Sequence, residues 1–357
     1  MPYVVMSGTR SLWADLQKVT PAPTTYELLR EFRGLCGACA NLNAQSVSNT
    51  SYGLYRGDDN EAPEVTSHPF LEVLKRPNPY MDSKLLWRHT QLSLELCGRA
   101  YWKLVPGVLT PVVEVYPLQA QLVSQRVGAG NQIVGWQYDK ETLALDQVVQ
   151  FFNPDPLNPY GSGRGPAEIA WSEIALMNSD TAMMTALMQN GGVPGYVGSI
   201  KDAKGIAPPG LIDRIYDAWN SFKGRKAGGL YLPELPMDFT PLAQTSKDFE
   251  GSARFNDLKS VILACFNIPS ALFSSAGTRA ELDAAMVQHA RLAVDPRTTL
   301  LESVINRRIL PLSDDGVNLF FTENLYEDQT AAASPSEIPT PPNPSSGTAM
   351  NTQGGAA

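Results

Sequence analysis

The sequence predicts an α+β chain in which a mixed first half feeds two long helices, with a small strand–helix–strand insert between them. Three observations predict it. Short aromatic and β-branched runs such as "AYWKLV", "VVEVYP", "AQLVSQR" and "IVGWQY" stand between turn signals and follow helical segments. The stretch 166–190 keeps a near-heptad spacing of Ala170, Ile174, Met177, Thr181, Met184 and Met188 over some 25 residues, or about 37 Å of helix. A second helical stretch, 242–267, follows an insert too small to bury a core by itself.

Each element has a local reason. Thr24-x-x-Glu27 is a capping box. Leu28, Leu29, Phe32, Leu35, Cys36, Cys39 and Leu42 then keep helical spacing. Tyr52–Tyr55 reads as a short strand. Pro77 and Pro79 punctuate the next stretch, and Asp82 or Ser83 caps a helix that ends at Gly98. The strand-rich part closes at "DQVVQFFNPDP". Pro166 suits the first turn of the long helix and Asn190-Gly191-Gly192 its stop. In the insert, "GYVGSI" reads as a strand and "GGLYLP" as its return. Leu211, Ile215, Ala218, Trp219 and Phe222 mark one face of the helix between them, with Gly224 ending it. The second long helix begins near Ser246 with Leu258, Val261, Ile262, Cys265 and Phe266 as its apolar edge. A further helix starts near Arg279, Pro296 is expected to bend or break it, and "NLFFTENL" is a strand. From Ala331 onward Pro, Ser, Gly and Ala dominate, which predicts disorder.

Composition bounds the function. The 357 residues carry a net charge of −8, which argues against a broad basic face that wraps nucleic acid. Charged residues make up only 18%, fewer than a lone soluble domain usually shows, so other subunits are expected to cover much of the surface. No run approaches the ~18 apolar residues of a membrane span. The start "MPYVVMSGTRSLW" lacks the basic-then-apolar pattern of a signal peptide. Cys36, Cys39, Cys97 and Cys265 suit neither a disulfide framework nor a zinc set and are read as buried thiols. His68, His89 and His289 are scattered and lack a nucleophile motif, so they are read as structural.

One stretch stands out: "CFNIPSALFSSAGTRAELDAA", from Cys265 to Ala285. A helix stops at Asn267-Ile268-Pro269, the chain crosses small residues, and a helix restarts. Pro269, which lacks an amide proton, is expected to hold the break, and Gly277 to be a flexible joint.

The chain resembles the portal proteins of tailed double-stranded DNA phages over about residues 26–325. The resemblance rests on "LCGACANLNAQSV", on "LELCGRAYWKLV", on "YGSGRGPAEIA" opening a helix that ends in "QNGGVPGYV", and on "FNIPSALF" before a helix. One departure is Gln150, where the family often carries His; the position is read as structural. The chain is short for a portal, so its crown is expected to be small.

The resemblance implies a ring, usually of twelve copies, around a DNA channel at one capsid vertex. It implies an N-terminal arm (1–25), a wing (26–165), stem helices (166–190 and 242–267), a clip (191–241), and a tunnel loop (268–278). A wing-return helix with a small crown (279–330) and the tail (331–357) complete it. Tunnel-loop candidates are Ile268, Pro269, Ser270, Leu272, Phe273, Ser274, Ser275 and Gly277, with Leu272 and Phe273 packing between neighbouring loops or touching DNA. Stem acids Glu168, Glu173 and Asp180 face either the bore or solvent. Lys247, Arg254 and Lys259 touch phosphates or pair with those acids across subunits, and pairing is favoured. In the clip, Asp213, Arg214, Asp217 and Asn220 lie opposite the apolar face and are expected to meet partners. The implied partners are further copies of the chain, double-stranded DNA, the terminase large subunit, the major capsid protein, and head-completion adaptor or tail proteins. Assembly is expected in the host cytoplasm, with the product in the virion. No cofactor and no catalysis are expected.

The rival readings are a nucleotide-binding enzyme using the Gly161–Gly165 loop and a monomeric nucleic-acid-binding module. "GSGRG" opens a helix, and helix N-termini bind phosphate. It lacks the Lys-Ser/Thr of a P-loop and the spacing of a dinucleotide fingerprint, so a turn before a long helix is the plainer reading.

Overall fold

The structure is a computed structural model and describes residues 22–57, 60–107, 111–128, 132–158, 161, 163–189, 196–200, 210, 237–241, 251–274, 277–313 and 315–322. The predicted tail from Ala331 and the insert helix around Leu211–Phe222 lie outside the described residues.

The capping box forms: Glu27 N–H donates to Thr24 Oγ1 at 3.2 Å, and Thr24 N–H to Glu27 Oε2 at 2.8 Å. It opens α1 (Thr25–Arg30), which is separate from α2 (Gly34–Asn49). The single helix that apolar spacing predicts through Leu42 is therefore broken at Glu31–Arg33. Gly34 takes a left-handed backbone (φ 54°), which only glycine adopts without strain, and Phe32 is left exposed. The buried face of α2 is small (Cys36, Cys39, Ala40, Ala44), which lets it pack closely on α4 (Ser83–Cys97). Before α4 comes α3 (Pro69–Lys75), capped by the His68 ring, whose Nδ1 accepts from Phe70 N–H at 3.1 Å. Asp82 caps α4 and left-handed Gly98 (φ 71°) ends it, as the sequence predicts.

Three antiparallel strands, β2 (Arg99–Val105), β3 (Glu114–Leu118) and β7 (Val148–Phe152), form one sheet in the order β3–β2–β7. A second sheet runs β4 (Val123–Val127), β5 (Ile133–Tyr138) and β6 (Glu141–Leu143). Trp87, Trp102, Phe151 and Phe321 fill the first core at ring separations of 4.7–5.3 Å. Phe321 belongs to β10 (Asn318–Phe321), which pairs antiparallel with β1 (Tyr52–Tyr55), so the end of the chain returns to its beginning.

The long helix expected over 166–190 is divided. A four-residue turn, α5 (Pro166–Ile169), stops at Ala170, and α6 (Trp171–Gln189) continues from it. Ala170 marks the division, with a backbone (φ −89°, ψ 16°) away from the helical values on either side. Gly165, at the head of α5, lies against the end of α4, where an added Cβ would meet Glu95 O at 2.7 Å. α7 (Gly251–Cys265) packs against both α5 and α6.

In the insert, β8 (Tyr196–Ile200) pairs antiparallel with β9 (Met237–Pro241). Met237–Pro241 thus returns beside β8, and "GGLYLP" lies outside the described residues. After α7, a 3-10 turn (Ser270–Phe273) leads to α8 (Arg279–His289), a π segment (Ala290–Val294) and α9 (Asp295–Arg308). Pro296 neither breaks nor stops the helix. It sits in the first turn of α9, where its missing donor is tolerated, and the wide π turn before it absorbs the change of register.

Candidate functional site

The site is the root of the two long helices and the connection that leaves it. A second core gathers Ile174 and Met177 of α6, Ile262, Leu263 and Phe266 at the end of α7, and Ile268 just beyond. The three stripe residues Ala170, Ile174 and Met177 are buried there. Further along the same stripe, Thr181, Met184 and Met188 are exposed and line an open groove with Thr185.

The helix break is built from the backbone. Asn267 takes the left-handed conformation (φ 57°). Its N–H donates to Ala264 O at 3.0 Å, and Ile268 N–H donates to Leu263 O at 2.9 Å. These two bonds, with Ile268 and Leu263 both buried, make a Schellman stop. The sequence assigns the break to Pro269; Asn267 makes it two residues earlier, and asparagine tolerates this backbone better than other non-glycine residues.

Leu272 and Phe273 are half-buried against the chain's own second core, so neither stands free at a loop tip. Ser270, Ser274 and Gly277 are exposed, and Ser275 lies outside the described residues. Lys259 Nζ donates to the Phe273 carbonyl at 3.0 Å. Its partner is thus a main-chain oxygen, where the sequence reading favours a stem acid. Arg254 does find an acid, with its Nε 3.4 Å from Asp180 Oδ2. That pair joins α6 to α7 within one chain. Glu168 faces Arg164 at 3.4 Å, and burial raises its carboxyl. Glu173 accepts from Ser172 Oγ at 2.8 Å. Lys247, Asp213, Arg214, Asp217 and Asn220 lie outside the described residues.

A buried polar hub lies under the break. Glu95, 1% exposed, accepts from Gln91 Nε2 at 2.5 Å, Asn43 Nδ2 at 3.1 Å and Arg297 Nη2 at 3.0 Å, with Arg297 Nε bonded beside it. Asn43 Nδ2 and Arg297 Nη2 also donate to the Phe266 carbonyl, at 3.0 and 3.2 Å. The Asn43 Oδ1 lies 2.9 Å from His289 Nε2. Burial, and then the nearby Arg297 guanidinium, push the His289 imidazole down to about 4, so the ring is neutral at pH 7. The hub therefore ties α2, α4, α8 and α9 to a carbonyl that the end of α7 leaves unpaired. Sequence reasoning missed every member except His289, read there as structural. The available signal was Glu95 and Gln91, polar residues four apart on the buried face of α4.

The Gly-rich loop is a packing device. Gly161 O accepts from Gln150 Nε2 at 2.6 Å and from Gln125 Nε2 at 3.2 Å. A Cβ on Gly163 would meet Gly98 O at 2.3 Å. The backbone around Gly165 is packed against Leu94 O, Glu95 O and Gly98 N, each within 2.9 Å of where a Cβ would stand, so the loop is filled by the chain's own backbone. Burial pushes the Cys36 and Cys39 thiols up to about 12, far from reactive thiolates. Among the described residues no cluster of His, Cys, Asp or Glu could hold a metal ion, and no helix is long and apolar enough to cross a membrane.

The comparisons with known proteins bear on this arrangement. The family model described as phage portal protein matches residues 37–334. The chain belongs to the phage portal protein family. The two three-stranded sheets, the α6–α7 pair and the break after α7 all fall within the matched span. The portal chain superposes on a solved HK97-family phage portal protein from Corynebacterium diphtheriae with a TM-score of 0.62. That match has 14% identity and covers 88% of this chain and 99% of that one. A chain in the neck of an empty GTA particle gives a TM-score of 0.64 at 20% identity, covering 85% of each chain. In sequence, a protein of Rickettsia bellii (strain RML369-C) described as uncharacterized is 24% identical over 307 residues, 82% of this chain and 75% of that protein. The solved structures show that the mixed α/β fold is a portal fold.

Proposed function

We propose that this portal chain assembles as a closed ring, with twelve copies the expected number, around a channel for double-stranded DNA at one capsid vertex. The family match sets the role. The observation that carries assembly is the upper half of α6, where Met183, Met184 and Met188 are exposed, whereas Ile174 and Met177 of the lower half are buried. Such a face needs cover from other copies. In this reading residues 26–165 form the wing, α6 and α7 the stem, 191–241 the clip, 268–278 the tunnel loop and 279–330 the return and a small crown. The ring docks the terminase large subunit for packaging and later a head-completion adaptor or tail proteins, with the major capsid protein around it. The net charge of −8 suits a conduit that must not grip phosphate along its length.

Electron microscopy of the purified protein tests the reading: rings with a central hole are expected. A single 38.8 kDa species at all concentrations would overturn it. Reversing Asp213 and Asp217 to Lys tests the clip. Rings are expected to form with weakened terminase and adaptor capture, and unchanged capture of both would remove the clip assignment.

A further inference from the structure

The segment that leaves the stem is held at two carbonyls, and the two holds differ in kind. At its start, the Phe266 carbonyl is buried and takes two side-chain donors, Asn43 Nδ2 at 3.0 Å and Arg297 Nη2 at 3.2 Å. Both donors are themselves fixed by Glu95. At its far end, the Phe273 carbonyl takes a donor from Lys259 Nζ at 3.0 Å, and residue 273 is only half-buried. Between the two lie the left-handed Asn267, the extended Pro269 and a single 3-10 turn. Within that turn Leu272 N–H donates to Pro269 O at 3.1 Å and Ser274 N–H to Ala271 O at 3.2 Å.

We infer that this connection is a hinge and latch: the hub fixes Phe266 as the pivot, and Lys259 is a positioning residue that latches the turn Ser270–Phe273 to the stem. The asymmetry decides which end moves. Freeing Phe266 would leave a buried carbonyl without its two donors and deprive Asn43 Nδ2 and Arg297 Nη2 of an acceptor in the core, a large cost. Freeing Phe273 exposes a carbonyl and an ammonium to water, which can replace each bond, and a lysine on a flexible stem re-solvates readily. Leu272 and Phe273 lift from the second core as the turn swings, so their partial burial sets the remaining resistance. The inference rests on the portal reading only for its purpose, which is to let the loop follow the channel's contents. The latch itself is a property of one chain.

Hydrogen–deuterium exchange on the intact protein tests it without DNA or packaging. Lys259→Met keeps the aliphatic stem and removes the donor. Exchange of the amides from Ala271 to Ser274 is expected to rise about tenfold, while Asn267 and Ile268 keep their protection. Lys259→Arg, which can still donate, is expected to restore protection. Unchanged exchange at 271–274 in Lys259→Met would overturn the latch. An equal rise across 263–274 would overturn the fixed pivot. A protein that forms no rings yet shows the expected exchange pattern would sink the portal assembly and leave the latch standing.

Discussion

The lower and upper halves of α6 carry the same stripe and meet opposite fates. Ile174 and Met177, with Ala170 just before the helix, are buried in the second core. Thr181, Met184 and Met188 continue the spacing but face an open groove, and Met188 is 69% exposed. Periodicity therefore identifies a face that must be covered and says nothing about what covers it. Below, the chain covers itself, with a charged network that fixes one geometry. Above, flexible methionines and small threonines present an adaptable surface, suited to neighbours that must seat in many equivalent positions around a ring.

Four experiments break or sharpen that contrast. The largest effect is expected below. Arg297→Met strands the Glu95 carboxylate in the core, and destabilisation of about 3–5 kcal/mol is expected by chemical denaturation. Pairing it with Glu95→Leu is expected to recover much of the loss, because the charge then disappears from both sides. Above, Met184→Asp with Met188→Asp is expected to leave helix content by circular dichroism unchanged and to abolish rings in sizing chromatography. Equal damage to folding would show that the upper face is core after all.

The third effect is smaller and depends on pH. The folded His289 titrates near 4 and its unfolded counterpart near 6.5. Between those values the unfolded chain binds the extra proton, so stability is fully present above 6.5 and falls as the pH drops toward 4. The slope is expected to approach 1.4 kcal/mol per pH unit, order of magnitude. His289→Gln is expected to flatten the difference between stability at pH 6.5 and pH 5. The smallest effect belongs to Asp180→Ala. Its pair with Arg254 is largely exposed, and a loss below about 1 kcal/mol is expected.

What the sequence disclosed follows from the range of the forces involved. Local signals were legible: the Thr24–Glu27 capping box, the Asp82 cap and the stop at Gly98 form where residue type predicts, and the strand runs form with shifted ends, β3 starting at Glu114 and β4 at Val123 after a 3-10 turn over Ala120–Leu122. The break after α7 was legible in place but not in cause, because the proline drew attention from the asparagine that makes the turn. The divisions at Glu31–Arg33 and at Ala170 are changes of backbone that apolar spacing does not register, left-handed at Gly34 and non-helical at Ala170. The hub was invisible because its members lie far apart in the chain. Asn43 meets Glu95, His289 and the Phe266 carbonyl across 52, 246 and 223 residues. A single sequence records polar residues on apolar faces but not which of them will meet. At Gln150 the sequence reading of a structural role agrees with the geometry, since its amide holds Gly161 O.

The antiparallel pairing of Tyr52–Tyr55 with Asn318–Phe321 has a mechanical consequence. Everything from Arg56 to Val317 is one excursion whose two feet are paired side by side. Parting those feet means breaking the β1–β10 ladder and drawing Phe321 away from Tyr52 and Trp87, so tension applied within the excursion meets the aromatic core before it can unravel the chain from one end.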